Sequence, residues 1–159
     1  MPDWNLMSCS RLLISRRRLL RILGSSTGVA LAGVAAGSGC GAPTGSPPTG
    51  PVSGGSVSAL PLGSLRVMGN VAVARDSQGI YAMSAVCTHA SCLLTDSSDQ
   101  IAAGLDCPCH SSRFDGGGAV LRGPARDPLQ HYQVTIAADG AITVDGSQPV
   151  ADAVRAPVG

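Results

Sequence analysis

Two short stretches of the 159-residue chain, Cys87-Thr88-His89-Ala90-Ser91-Cys92 and Cys107-Pro108-Cys109-His110-Ser111-Ser112, hold four of its six cysteines and two of its three histidines. Thiols and imidazoles gathered this tightly serve metal ligation, disulfide formation or both. Cys-x-His in the first box and Cys-x2-His in the second, with 17 residues between His89 and Cys107, offer two thiolates and two imidazoles. A tetrahedral zinc accepts that donor set. Six candidate ligands are two more than one zinc takes. A binuclear iron-sulfur cluster, with two Cys on one iron and two His on the other, takes four and leaves two Cys that can join the boxes. Either chemistry needs a frame that presents both boxes as rigid loops.

The frame reads as strands. Residues 71–75 and 80–86 flank Asp76-Ser77-Gln78-Gly79, β-formers on both sides of a Gly-containing turn, which predicts a hairpin. Residues 132–136 and 141–144 alternate apolar with polar around Asp139-Gly140 and predict a second. Residues 101–105 and 119–121 are weaker strand candidates. No part of residues 57–159 carries helical periodicity or a repeat. With 21 Gly, 11 Pro, four aromatics and neither Lys nor Glu, the composition favours turns and short strands. The expected fold is all-β, a single domain over residues 57–159 with loops inserted between strands.

The preceding residues read differently. Residues 1–40 hold five Arg against one Asp, whereas residues 41–159 hold six Arg against nine Asp. The basic part is therefore a terminus and not a binding face, and no basic stripe with interleaved aromatics supports nucleic-acid binding. Ser15-Arg16-Arg17-Arg18-Leu19-Leu20-Arg21 leads into a small-residue apolar run over 22–36, the layout of an export signal. It resembles the twin-arginine signal, with Arg16 and Arg17 as the pair. The run is shorter and richer in Gly than the roughly 20 apolar residues of a membrane span. Residues 34–36 suit an ordinary signal peptidase, while Gly37-Ser38-Gly39-Cys40 looks like a lipoprotein site, which makes Cys40 the lipidation candidate. Residues 41–56, rich in Gly, Pro, Ser and Thr, are expected to be a disordered tether.

The two boxes resemble those of the Rieske family, Cys-Thr-His-x-Gly-Cys and Cys-Pro-Cys-His-x-Ser, over residues 57–158. The resemblance implies a Rieske-type antiparallel β sandwich with a small cluster-binding subdomain of two disulfide-linked loops. It implies one 2Fe-2S cluster, with Cys87 and Cys107 on the buried iron, His89 and His110 on the outer one, and a bond between Cys92 and Cys109. That extra Cys pair belongs to the high-potential branch of quinol-oxidising complexes, and a disulfide agrees with an oxidising compartment. Gly123-Pro124-Ala125 falls where the family has a Pro-containing cover. Ser112 matches a Ser whose hydroxyl bonds a bridging sulfide, and Phe114 stands where high-potential members often have a Tyr; both are expected to tune the cluster. Ser91 and Ser111 replace family glycines, so a loop needing positive φ there must rearrange or carry strain. His131 is expected to be an ordinary surface or half-buried residue.

The function implied is one-electron transfer on the outer side of the cytoplasmic membrane, after export of the folded protein to the periplasm. The implied place is the iron-sulfur subunit of a quinol:cytochrome c type oxidoreductase. A relay subunit of an exported molybdoenzyme resembling arsenite oxidase, and a free lipid-anchored carrier, are the alternatives. A quinol or a redox protein would be the donor and a c-type cytochrome or similar protein the acceptor, with membrane association through leader or lipid.

Overall fold

A computed structural model describes residues 42–96 and 98–159, which all fall within the compact unit Gly39–Gly159. The leader over 1–40, with Arg16, Arg17 and Cys40, lies outside the described residues.

Ten strands follow in chain order: β1 Pro51–Ser56, β2 Leu65–Met68, β3 Val71–Asp76, β4 Gly79–Ser84, β5 Thr95–Asp96, β6 Leu105–Asp106, β7 Arg113–Phe114, β8 Val120–Arg122, β9 His131–Ile136 and β10 Ala141–Val150. They form two antiparallel sheets, one in the order β1-β10-β9-β4-β3-β2 and one in the order β5-β6-β7-β8. Both expected hairpins are present. In the first, the Asp76 carboxylate accepts the Gln78 and Gly79 amides and closes the β3–β4 turn. In the second, Gly140 sits at φ +82° between β9 and β10, a conformation glycine adopts without cost. Of the weaker candidates, residues 101–105 form a 3-10 turn, Ile101–Ala103, running into β6, and 119–121 overlap β8.

Strand alternation gives the larger sheet two buried faces. Val71 and Val73 of β3 join Ile80, Val134, Ile142 and Val144 in one core, while Ala72 and Ala74 join Tyr81, Met83, Leu94, Leu105 and Phe114 in the other. The first core is enclosed because the sheet curls, bringing β1 into contact with β3 although three strands separate them. The second lies between the two sheets and seats the boxes: β4 runs through Ala85 and Val86 into the first, and β6 runs straight into the second.

The expected tether is a correction. Residues 51–56 are β1, paired with β10 from Pro51↔Asp145 to Ser56↔Ala141. Composition misleads here because the segment contributes backbone hydrogen bonds and close approach in place of side-chain bulk. Gly54 lies so near β10 that a Cβ would stand 2.7 Å from Ile142 Cγ2, and Val52 packs on the first core. Upstream, residues 43–45 lie antiparallel on the first box: the Leu93 amide donates to the Pro43 carbonyl at 2.9 Å and the Gly45 amide to the Ser91 carbonyl at 2.9 Å.

Candidate metal centre

The two boxes fold as copies of one turn. The Cys87 amide donates to the Cys92 carbonyl (2.8 Å) and Ser91 N–H to the Cys87 carbonyl (3.0 Å); in the second box Cys107 N–H donates to Ser112 (2.8 Å) and Ser111 N–H to Cys107 (3.1 Å). The fifth residue of each turn takes a left-handed conformation, φ 56° at Ser91 and 60° at Ser111. The loop keeps the geometry that glycine favours and carries serine there, at a cost on the order of 1 kcal/mol each. Cys92 and Cys109 are bonded across the boxes, with 6.5 Å between their Cα atoms. For a 17-residue separation that crosslink stabilises by roughly 3 kcal/mol through the unfolded chain.

This bond sorts the remaining ligand types by depth. Cys87 and Cys107 are free thiols, 2% and 3% exposed, and they hydrogen-bond one another. Burial pushes the Cys87 thiol up, while the His89 and Ala90 amides aimed at its sulfur act the other way. Amide donors at a buried sulfur suit a metal-bound thiolate. His89 and His110 are exposed, their rings edge to face with centroids 4.8 Å apart. Two deep sulfurs and two surface imidazoles fit a two-iron group with one end buried. A single zinc fits poorly: the gathered trio of metal-ligating groups among the described residues is Cys92, Cys107 and Cys109, and two of those sulfurs are spent on the disulfide.

The end of β8 and the segment after it tie the boxes together. Arg122 Nε donates to the Ser111 carbonyl (2.9 Å), the Ala125 amide to Ser112 Oγ (3.0 Å), and Thr88 Oγ1 to the Asp127 carbonyl (2.8 Å). Ser112 is fully buried, and its oxygen is an acceptor in this arrangement, which keeps the hydroxyl proton for donation elsewhere. Phe114, also fully buried, shares a core with Cys87 and Cys107.

A second set of polar contacts was not visible in the sequence. Tyr81 Oη donates to the Gly116 carbonyl (2.8 Å), and His131 Nε2 lies 2.8 Å from the Gly117 carbonyl. Both side chains come from the larger sheet and hold the β7–β8 turn of the smaller one. His131 is 4% exposed, which corrects the expectation of a surface or half-buried residue; the ring stacks on Tyr81 at 5.8 Å. Arg155 stands over the Tyr81 ring, 3.9 Å from its centroid, and pairs with Asp76 at 2.7 Å. Burial pushes the Tyr81 phenol up to about 12. The signal that could have pointed here is Gly116-Gly117-Gly118, a turn whose bare carbonyls need partners.

A family model described as the Rieske 2Fe-2S domain matches residues 54–133. The cytochrome b6-f complex iron-sulfur subunit of Chlorobaculum tepidum is 38% identical over 76 residues, 46% of this chain and 39% of that protein. A protein of Haloferax mediterranei named as the Rieske subunit of a respiratory nitrate reductase is 37% identical over 70 residues, 43% of this chain and 30% of that one. The chain thus matches well under half the length of either relative. Among solved structures, the plasma-membrane Rieske protein of the cyanobacterium Synechocystis PCC 6803 aligns with a TM-score of 0.45 and 26% identity, covering 58% of this chain and 97% of that one.

Proposed function

The chain belongs to the Rieske 2Fe-2S domain family, and from that premise we propose that Cys87, His89, Cys107 and His110 hold its cluster for one-electron transfer outside the cytoplasm. The observation that carries this assignment is the pairing of two buried thiols with two exposed imidazoles on boxes locked by the Cys92–Cys109 bond. When bound, the cluster supplies one-electron chemistry at a potential above that of all-thiolate clusters, because neutral imidazoles replace two anionic ligands. Cys87 and Cys107, both buried, would hold the iron farther from water. His89 and His110 would each spend one ring nitrogen on ligation and keep the other at the surface.

The place that best fits these residues is the iron-sulfur subunit of a quinol:cytochrome c type oxidoreductase, a reading supported by the likeness to a cytochrome b6-f subunit. A relay subunit of an exported molybdoenzyme is the second reading, favoured by the likeness to a nitrate reductase Rieske subunit. A free lipid-anchored carrier, bound through Cys40, is the third. Export along the twin-arginine route through Arg16 and Arg17 is part of the proposal and agrees with the disulfide, which persists in an oxidising compartment. The assignment of ligands is tested by His89→Ala and His110→Ala, each expected to abolish the visible colour and the paramagnetic resonance signal of the reduced protein. A full spectrum in either variant sinks it.

A further inference from the structure

The charged groups next to the exposed imidazoles are arranged unlike those elsewhere in the fold. Arg66, Arg113 and Arg155 are ion-paired with Asp99, Asp106 and Asp76, and Arg75 donates to the Leu60 carbonyl. Arg122 and Arg126 have no carboxylate partner among the described residues, and both stand in the segment tied to the boxes. Arg122 is fixed by its Nε on the Ser111 carbonyl. Arg126 is exposed between Ala125, bonded to Ser112, and Asp127, bonded to Thr88, so its backbone is pinned between the two boxes.

Asp127 is the acid of this segment, exposed, with its main-chain carbonyl engaged and its carboxylate outside those bonds. Elsewhere in the described residues four Arg face eight Asp. The imidazole face is thus the cationic end of an otherwise acidic domain. The cleft beside the first box measures only about 200 Å³, below the roughly 300–1,000 Å³ of small-molecule sites.

We propose that the face formed by His89, His110, Arg122 and Arg126 docks a redox protein whose own electron-exchange surface is acidic. The proposal rests on the assignment of His89 and His110 as the exposed ligands. Unpaired guanidinium groups recognise carboxylates well because their planar donors match two oxygens at once. The opposite sign over the rest of the domain turns an acidic partner toward this end during approach.

The test has two arms on the full chain, with Arg126→Gln, Asp127→Asn and Arg66→Gln. In the first, a fluorescein-labelled octaglutamate peptide is titrated into the oxidised protein and read by anisotropy. Arg126→Gln is expected to weaken binding by roughly threefold, the size of one surface ion pair. Asp127→Asn is expected to tighten binding, and Arg66→Gln, which alters a paired cation away from the boxes, to leave it unchanged. In the second, the reduced protein is oxidised in a stopped-flow instrument by hexacyanoferrate(III) or by tris(phenanthroline)cobalt(III). The anionic oxidant should slow, by up to roughly tenfold, and the cationic one should not, as ionic strength rises from about 10 to about 200 mM. Equal losses of peptide binding in Arg126→Gln and Arg66→Gln, or the same salt response for both oxidants, overturn the proposal. A wild-type protein without the cluster spectrum overturns the ligand assignment instead, and the peptide arm still reads the face.

Discussion

At the scale of single residues, two positions carry a cost that glycine would relieve. Ser91 and Ser111 hold φ near +60°, and each side chain opposes that conformation, while glycine would in turn lose more freedom on folding. The balance favours glycine, so Ser91→Gly and Ser111→Gly should each stabilise the protein by about 0.5–1 kcal/mol, read as a higher urea midpoint at unchanged slope. Ser112 and Phe114 are the residues we propose to tune the cluster's potential. A hydroxyl donated to a cluster sulfur favours the reduced, more negative state, and each 59 mV of a one-electron couple is about 1.4 kcal/mol. The Ser112 hydroxyl keeps its proton available while its oxygen accepts from Ala125, so Ser112→Ala should lower the midpoint potential, by something on the order of 50 mV. Phe114→Tyr, which restores a donor in the core shared with both cysteines, should raise it by a similar amount. Protein-film voltammetry at fixed pH checks both; a lowered potential in Phe114→Tyr would place that ring away from the ligand sulfur.

At the scale of elements, the boxes depend on three separate ties: the disulfide, the segment from Arg122 to Asp127, and the Tyr81 and His131 contacts beneath the β7–β8 turn. Removing the first by Cys92→Ala with Cys109→Ala should cost about 3 kcal/mol in urea unfolding, the entropy of a 17-residue loop. A loss well under 1 kcal/mol would show that the other ties align the boxes alone. The two central hairpins were legible because period-two apolar patterning and the turns at Gly79 and Gly140 say the same thing. The Cys/His boxes were legible because so many ligating groups rarely cluster by chance. β1 was not, since strand pairing draws on main-chain groups that every sequence carries, and the fit of Gly54 against Ile142 depends on a neighbour 88 positions away. His131 was misread because alternation assigns it a face of β9 without saying what covers that face.

At the scale of the whole molecule, the far end of the hairpin from the boxes is held to the C-terminal residues by the paired backbone hydrogen bonds of Ile80 and Ala156 and by the ion pair of Arg155 with Asp76. Partial burial works to raise the Asp76 carboxyl, and the Arg155 hydrogen bond with the Gln78 and Gly79 amides outweighs it, so the net shift is downward. A carboxyl depressed in the folded state contributes stability above its unfolded value of 3.8 and loses it as pH falls through the folded value. Urea midpoints should therefore drop as pH falls below about 4, and Asp76→Asn should flatten that drop while lowering stability at neutral pH; an unchanged profile would mean that the pair adds nothing. The opposite end of the chain has a mechanical character. Because residues 43–45 lie along the first box, tension applied at Ala42 reaches the Pro43–Leu93 and Gly45–Ser91 hydrogen bonds before it reaches any strand of the larger sheet. While those two bonds hold, such a pull loads Ser91 and Leu93 on either side of Cys92, whose disulfide passes the load to Cys109 and the second box; once they part, the load moves along the chain to β1. The segment that composition marks as a slack leash is coupled like a tendon to the part of the molecule that exchanges electrons.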